Sequence, residues 1–354
     1  MSTEFDAIFK GIIKDSEKDP NAALFKAGDI AIKSHIPWAI PSGVPDIDIN
    51  IGRPGWPAGR VVELYGFEHC GKTTLAYHAL AQAQILGGSG FFIDTEKSWD
   101  EERATQIGID VHHQFGIVDA DSVDAVFRMI KRTLDHRRKH NDGKPFVIVV
   151  DSVTGAATEE MHAKEIGAAE RVGQDAKAIR GGMRRIVPSL AETNVTLIMV
   201  NHATANITSN KYAKQSDSSG GHSIKLAATA RLAMKSSGWI KDKDEVERRL
   251  GQKISIKIEK LKNSTLAYPE IRDITLLNTI GFDTEESLLS AGCKAGWIEH
   301  KKGSKTYKLD DDEFGKADWP SIVMQHGLVQ GAYREFLDWC LDNGAMSEWG
   351  KTFS

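Results

Sequence analysis

The octapeptide Gly66-Phe67-Glu68-His69-Cys70-Gly71-Lys72-Thr73 satisfies every fixed position of the G-x-x-x-x-G-K-[ST] phosphate-binding pattern. Its glycines let backbone N–H groups turn toward the β- and γ-phosphates. Lys72 adds a positive charge, and the Thr73 hydroxyl, at a helix N-terminus, can hold Mg²⁺. ATP or a similar triphosphate, with Mg²⁺, is the expected ligand. Hydrolysis further needs a metal and an activated water organised around the γ-phosphate. The apolar run Val147-Ile148-Val149-Val150 ends in Asp151, which can reach Mg²⁺ through water. Phe91-Phe92-Ile93 runs into Asp94-Thr95-Glu96, where residues two apart share a face. Both carboxylates can then lean over the site, with Glu96 placed as the base that polarises water. A helix N-cap is the competing reading of any one acidic strand end. A fourth run, Thr196 to Val200, ends in Asn201-His202, where a polar side chain can bond the γ-phosphate and pass its presence to the following loop.

These residues must be held by strands and helices of the right order. Arg60 to Tyr65 is β-branched and apolar, and Thr74 to Leu86 is Ala- and Leu-rich and stops at Gly87-Gly88, so the loop joins a strand to a helix. The continuous apolar runs suit strands buried on both faces of a parallel sheet, and their alternation with helices predicts a doubly wound α/β core with ligands beyond the strands' carboxyl ends. Three regions are expected: a small amphipathic N-terminal helical unit over residues 1–34, the core over 35–277, and a small α+β domain over 278–354. The Pro- and Gly-dense segment from Ile36 to Gly59 reads as an ordered but irregular connection. Ile254, Ile256 and Ile258 alternate with Ser255, Lys257 and Glu259 as in a half-covered strand, whose even-numbered face Lys260 and Lys262 continue. A hairpin is expected between Trp297 and Lys308.

The 354 residues are 41% hydrophobic and 27% charged, as in an ordinary globular protein. No stretch is apolar enough for a membrane span and the first ten residues lack a signal-peptide pattern, so a cytoplasmic location is expected. Three scattered cysteines exclude a disulfide framework. Cys70, beside a helix N-terminus and Lys72, could be an acidified thiol or simply a small residue that fits. A net charge of −4 means that any nucleic-acid site must be local. Arg137, Arg138 and Lys139 read as a solvated helix end. His136 and His140 read as a solvated pair, since no third metal ligand is near.

Two polar stretches lack apolar periodicity. Thr158 to Gly167 follows Asp151 and leads to a helix bearing Arg171, and Ala203 to Gly221 ends in Gly220-Gly221-His222. Loops of the second kind inside a compact domain are usually functional. With these residues in view, the chain resembles the RecA family of DNA recombinases, including phage UvsX-type members. The likeness is carried by Gly66 to Thr74, by Phe92 to Glu96 with Asp100, by Val147 to Val153, and by Gly220 to Leu226 before Ala230-Arg231-Leu232.

The resemblance implies a RecA-type P-loop ATPase that assembles on single-stranded DNA as a helical homo-oligomer, pairs it with homologous duplex DNA and exchanges strands. It implies nucleotide contacts from residues 66–74, Asp100 and Arg103, and Glu96 as catalytic base. It implies DNA-binding loops at 158–170 and 203–221, with Arg171, Gly220, Gly221 and His222 at the DNA. Lys260 and Lys262 match lysines that reach a neighbour's ATP, and the N-terminal arm would dock on the adjacent protomer. Single-strand-binding and mediator proteins are the further partners implied, in the nucleoid of a bacterial cell or phage-infected host. Arg103 stands where bacterial members stack a tyrosine on adenine. Asn201-His202 and Pro188, which is expected to kink its helix, look like the phage branch. Two other readings share the phosphate loop: a ring helicase or clock-type motor, and an ATP-gated single-strand scaffold.

Overall fold

Phe146 to Asp151 form a strand with no exposed residue, because apolar side chains of both parities find a covering layer. In the computed structural model, residues 36–155, 158, 174–205, 216–219, 221–242, 248–262 and 270–347 are described. The N-terminal unit expected over residues 1–34, Arg171, Gly220 and most of the 158–170 segment lie outside them.

The chain opens with β1 (Ala39–Ile40), helix α1 (Pro45–Ile51) and β2 (Trp56–Pro57). The segment expected to be irregular thus contains a helix, started by Pro45 in its first turn and closed by Gly52 in the left-handed region. Then come β3 (Val61–Gly66), α2 (Lys72–Ile85), β4 (Ser89–Asp94), α3 (Glu101–Ile107), β5 (Phe115–Asp119), α4 (Val123–Lys139), β6 (Phe146–Asp151) and α5 (Gln174–Thr193). They are followed by β7 (Val195–Ala205), β8 (Ser216–Ser218), α6 (His222–Ala227), β9 (Ala230–Lys241), β10 (Arg249–Leu261), β11 (Glu270–Leu277) and β12 (Gly281–Phe282).

The main sheet has the order β12-β11-β10-β9-β3-β7-β6-β4-β5, with β8 paired to β7. From β9 to β5 every pairing is parallel, whereas β10, β11 and β12 add antiparallel. This is the α/β fold read from the sequence, with an antiparallel wing beside the phosphate loop. One face, with Ile93, Ile148, Val150, Leu197 and Met199, packs on α4, α5 and α6 through Phe127, Ile130, Met183, Ile186 and Ile224. Leu80 and Tyr77 of α2 reach Gly90 and Phe92, of the opposite parity in β4. Pro188 lies inside α5, which continues through it for its full 20 residues.

Arg137 corrects the expectation of a solvated helix end. It is buried, stacked over Phe146, paired with Asp142 at 2.7 Å and bonded to the Lys144 carbonyl at 2.8 Å. Its cationic neighbours in sequence hid its role of closing the turn into β6.

Beyond β12, helix α7 (Thr284–Ala295), the three-stranded sheet of β13 (Glu299–His300), β14 (Thr306–Leu309) and β15 (Asp312–Gly315), and helices α8 (Trp319–Gln325) and α9 (Leu328–Asp342) enclose their own core around Leu288, Trp297, Phe314, Trp319 and Phe336. This part is tied to α1 by a buried polar contact. Asp48 accepts from the Ser42 amide at 3.3 Å and from the Tyr333 hydroxyl of α9. Burial pushes the Asp48 carboxyl up to about 7, despite those donors. The folded state therefore holds a proton that the unfolded chain, with its value of 3.8, releases sooner. Stability is highest below the unfolded value and is lost as pH rises toward the folded one, by on the order of 2–4 kcal/mol. Accordingly, the wild-type melting midpoint should fall between about pH 4 and about pH 7, and Asp48→Asn should flatten most of that fall. Equal slopes for the two proteins would show that Asp48 does not carry it.

Candidate active site

The phosphate loop leaves β3 at Gly66 and enters α2 at Lys72. Both fixed glycines are required by close approach. A Cβ on Gly66 would lie 2.2 Å from the Met234 carbonyl oxygen, and one on Gly71, at φ +81°, would lie 2.7 Å from Leu276 Cδ2. Phe67, Glu68 and His69 are exposed at the rim, whereas Cys70 and Lys72 are buried and Thr73 and Thr74 are half-buried. The antiparallel wing steadies the loop, since Gln252 of β10 donates to the His69 carbonyl at 2.5 Å. Lys72 Nζ donates to the Phe67 carbonyl at 2.7 Å. Cys70 Sγ bonds the same carbonyl at 3.0 Å, and burial pushes its thiol up, against the pull of Lys72. The acidified-thiol reading is thereby reversed, and Cys70 is a small buried residue that fits.

Parallel registry brings the acidic strand ends level, with Asp94 opposite Asp151. Thr73 Oγ1 donates to Asp151 Oδ2 at 2.5 Å. Burial pushes the Asp151 carboxyl up to about 6, and the nearby Glu96 and Asp94 charges add to the Thr73- and Lys72-opposed rise. A hydroxyl and a carboxylate converging at a helix N-terminus are hard oxygen donors of the kind Mg²⁺ takes alongside phosphates and waters. Asp94 does not share that task. Its carboxylate accepts from the amides of Glu96, Ser98 and Trp99 at 3.1, 3.2 and 3.0 Å and so builds the turn that presents Glu96. The sequence expectation that both carboxylates lean over the site does not hold for Asp94.

Glu96 Oε1 lies 2.7 Å from His202 Nε2. Burial raises the Glu96 carboxyl, but the nearby Ser152 hydroxyl, His202 and Lys72 outweigh it, so the net direction is down. The Ser152 hydroxyl itself is buried without a well-formed hydrogen bond, so its influence is one of proximity. Thr95, unnoticed in the sequence, locks this corner: Thr95 Oγ1 donates to the Ser152 carbonyl at 2.7 Å and accepts from its amide at 3.0 Å.

Asn201, one residue before His202, is buried and anchors the base of the second loop. Its Nδ2 donates to Glu63 Oε1 at 3.0 Å and to the Ser219 carbonyl at 2.9 Å, while its Oδ1 accepts from Ser219 Oγ at 2.8 Å. Strand β7 runs past His202 to pair with β8, Ala203 opposite Ser218, so part of the stretch read as loop is a paired ribbon. Gly221, at φ +83°, starts α6, and His222 is exposed at its first turn.

At the rim, Asp100 caps α3 by accepting from the Arg103 amide at 2.9 Å. The Arg103 guanidinium donates to three successive carbonyls, those of Leu277, Asn278 and Thr279, and so holds the turn between β11 and β12. Lys260 and Lys262 do not simply continue the Ile258 face. A bulge between Ile258 and Lys260 shifts the pairing, so that Leu261 takes the buried position, Lys260 is half-buried and Lys262 exposed. Lys260 Nζ donates to the Leu226 carbonyl at 3.0 Å and to that of Lys225.

A mostly parallel sheet, a phosphate loop between β3 and α2, an acidic strand end at Asp151 level with Asp94, and a polar strand segment at Asn201-His202 together define a P-loop ATPase of the RecA fold. The family model for the RecA N-terminal domain matches residues 7–281. The chain belongs to the RecA family. It is similar to Protein RecA of Bacteroides thetaiotaomicron, 28% identical over 83% of this chain and 84% of that one. The corresponding figures are 28%, 89% and 87% for Protein RecA of Acidothermus cellulolyticus, and 30%, 78% and 75% for that of Gluconacetobacter polyoxogenes. It is thus a RecA-type recombinase: an ATP-binding, DNA-dependent ATPase that binds DNA and forms filaments.

Proposed function

We propose that Glu96 is the base that polarises the attacking water, that Thr73 and Asp151 hold Mg²⁺, and that His202 senses the γ-phosphate and passes its state to the loop spanning 203–221. The observation that carries this reading is the 2.7 Å contact between Glu96 and His202. It joins the hydrolytic carboxylate to the strand that runs directly into the second loop. Mg²⁺ would neutralise the developing phosphate charge, while the residues around it position and activate water. ATP between protomers would order the 158–170 and 203–221 segments along single-stranded DNA, duplex DNA would be paired there, and hydrolysis would lower the affinity. Arg171, Gly220, Gly221 and His222 are the proposed DNA contacts. The N-terminal arm of residues 1–34 would dock on the adjacent protomer, and residues 278–354 would receive duplex DNA. Phage-type character, supported by Asn201-His202, single-strand-binding and mediator partners, and work in the cytoplasm at the nucleoid complete the reading. Among the described residues no helix is long and apolar enough to cross a membrane.

The second loop is the part to test. Replacing residues 206–215 by a Gly-Ser linker of equal length leaves the β7–β8 pairing intact. DNA-stimulated hydrolysis should fall by at least about tenfold, with nucleotide affinity unchanged. Wild-type stimulation in that variant would remove the loop from the DNA site.

A further inference from the structure

Arg231 and Glu63 form a buried ion pair that the hydrolytic site does not use directly. Glu63, in the middle of β3, is completely buried, and Arg231, at the start of β9, is 7% exposed. Arg231 Nε donates to Glu63 Oε2, and its guanidinium lies over the Tyr65 ring at 5.1 Å. The rest of the fork spreads in two further directions. One nitrogen reaches Ser218 Oγ at 3.2 Å, on the strand that closes the second loop, and the other reaches Glu259 Oε2 at 3.4 Å. Glu259 is the extra residue of the β10 bulge, and Lys260 beside it pairs directly across from Arg231. On its other oxygen, Glu63 accepts from Asn201, which precedes His202 and binds Ser219.

A buried charge persists only when its hydrogen bonds are satisfied, and a planar five-donor fork satisfies several acceptors at once where an ammonium would not. We propose, on the reading of the 203–221 loop and of Lys260 given above, that Arg231 is a positioning residue that fixes the base of the second loop relative to the strand bearing Lys260. Its partners link three structures: the strand bearing Asn201 and His202 through Glu63, the loop ribbon through Ser218, and the lysine strand through Glu259. The loop's response to DNA and the placement of the lysines then depend on one side chain that touches neither nucleotide nor DNA.

The test removes both charges together, because deleting one leaves the other buried and unpaired. In the double variant Glu63→Gln, Arg231→Met, the amide oxygen still accepts from Asn201. It should fold, bind nucleotide with unchanged affinity and keep its KM for ATP, while DNA-stimulated kcat falls by about tenfold or more. Arg231→Lys keeps the charge but not the fork. It should recover part of the stimulation, and it also decides the matter if the double variant does not fold. Full DNA stimulation in a folded double variant, or in Arg231→Lys when only that variant folds, would overturn the proposal. Loss of stimulation accompanied by an equal loss of nucleotide affinity would also overturn it, because a general disturbance of the core would then suffice. The linker exchange of residues 206–215 in the same assay tests the parent reading separately: if it leaves stimulation intact while the Arg231 variants lose it, the loop assignment falls and this proposal falls with it.

Discussion

Glu96→Gln is expected to lower DNA-dependent ATP turnover by about 10²–10⁴-fold while ATP and DNA binding persist. The amide keeps the size of the side chain and an oxygen facing His202, but it cannot take a proton from water. The surroundings argue for a base. Ser152, His202 and Lys72 hold the Glu96 carboxyl below its usual value, so that at neutral pH it is ionised and able to accept. The turn that presents it is fixed by three amide donations to Asp94 and by Thr95 bonding both sides of the Ser152 peptide group. Such preorganisation leaves little freedom for a substitute to take over. Single-turnover hydrolysis together with nucleotide and DNA binding assays would measure the effect. Turnover within about threefold of wild type would transfer the role to another group.

What could be read before the fold was known follows a physical division. The placement of the phosphate loop between a strand and a helix, and of Asp151 and Glu96 at or just past strand ends, was legible because the signals are local: residue type, spacing and the flanking strand or helix suffice. Asp94 was misjudged because a carboxylate that accepts three amides of its own turn looks, in sequence, the same as one aimed at a ligand. Arg137 was misjudged, and the two readings of Cys70 could not be separated, because burial, which is a tertiary property, decides their charge environment. The β8 pairing escaped notice because Ser216-Asp217-Ser218 has no apolar face to announce a strand. The bulge at Glu259 escaped because alternation carries no sign of where an extra residue will interrupt it. Glu63, Arg231 and Asn201 are single polar residues inside or beside apolar runs. Only the sheet order, which places β9, β3 and β7 side by side, shows that they meet.

The same sheet order decides how Lys260 and Lys262 can act. β10 is antiparallel to β9, so its carboxyl end lies where β9 and β3 begin: Leu261 pairs with Ala230, which in turn pairs with Val62. Gly66 and the phosphate loop lie four residues further along β3, about 13 Å away, and two strands across. Lys260 therefore lies toward the opposite end of the strands from its own protomer's phosphate loop, with its Nζ engaged by the Lys225 and Leu226 carbonyls. If these ammonium groups reach a γ-phosphate, it belongs to a neighbour, and assembly itself completes the site in the manner of an arginine finger. Burial, followed by Lys262 and Arg231, draws Lys260 down to about 8, so at neutral pH it still carries the charge this requires. The variant Lys260→Ala, Lys262→Ala should then lose about 10³-fold or more of DNA-dependent turnover while binding ATP normally. Glu96→Gln should be inactive for a different reason, and the two defects should complement. In a filament assembled from equal amounts, roughly a quarter of the head-to-tail interfaces join an intact Glu96 to an intact lysine pair, and hydrolysis should return in proportion. A filament proven to contain both variants yet showing no recovery would reject action in trans, as would full activity of the lysine variant alone.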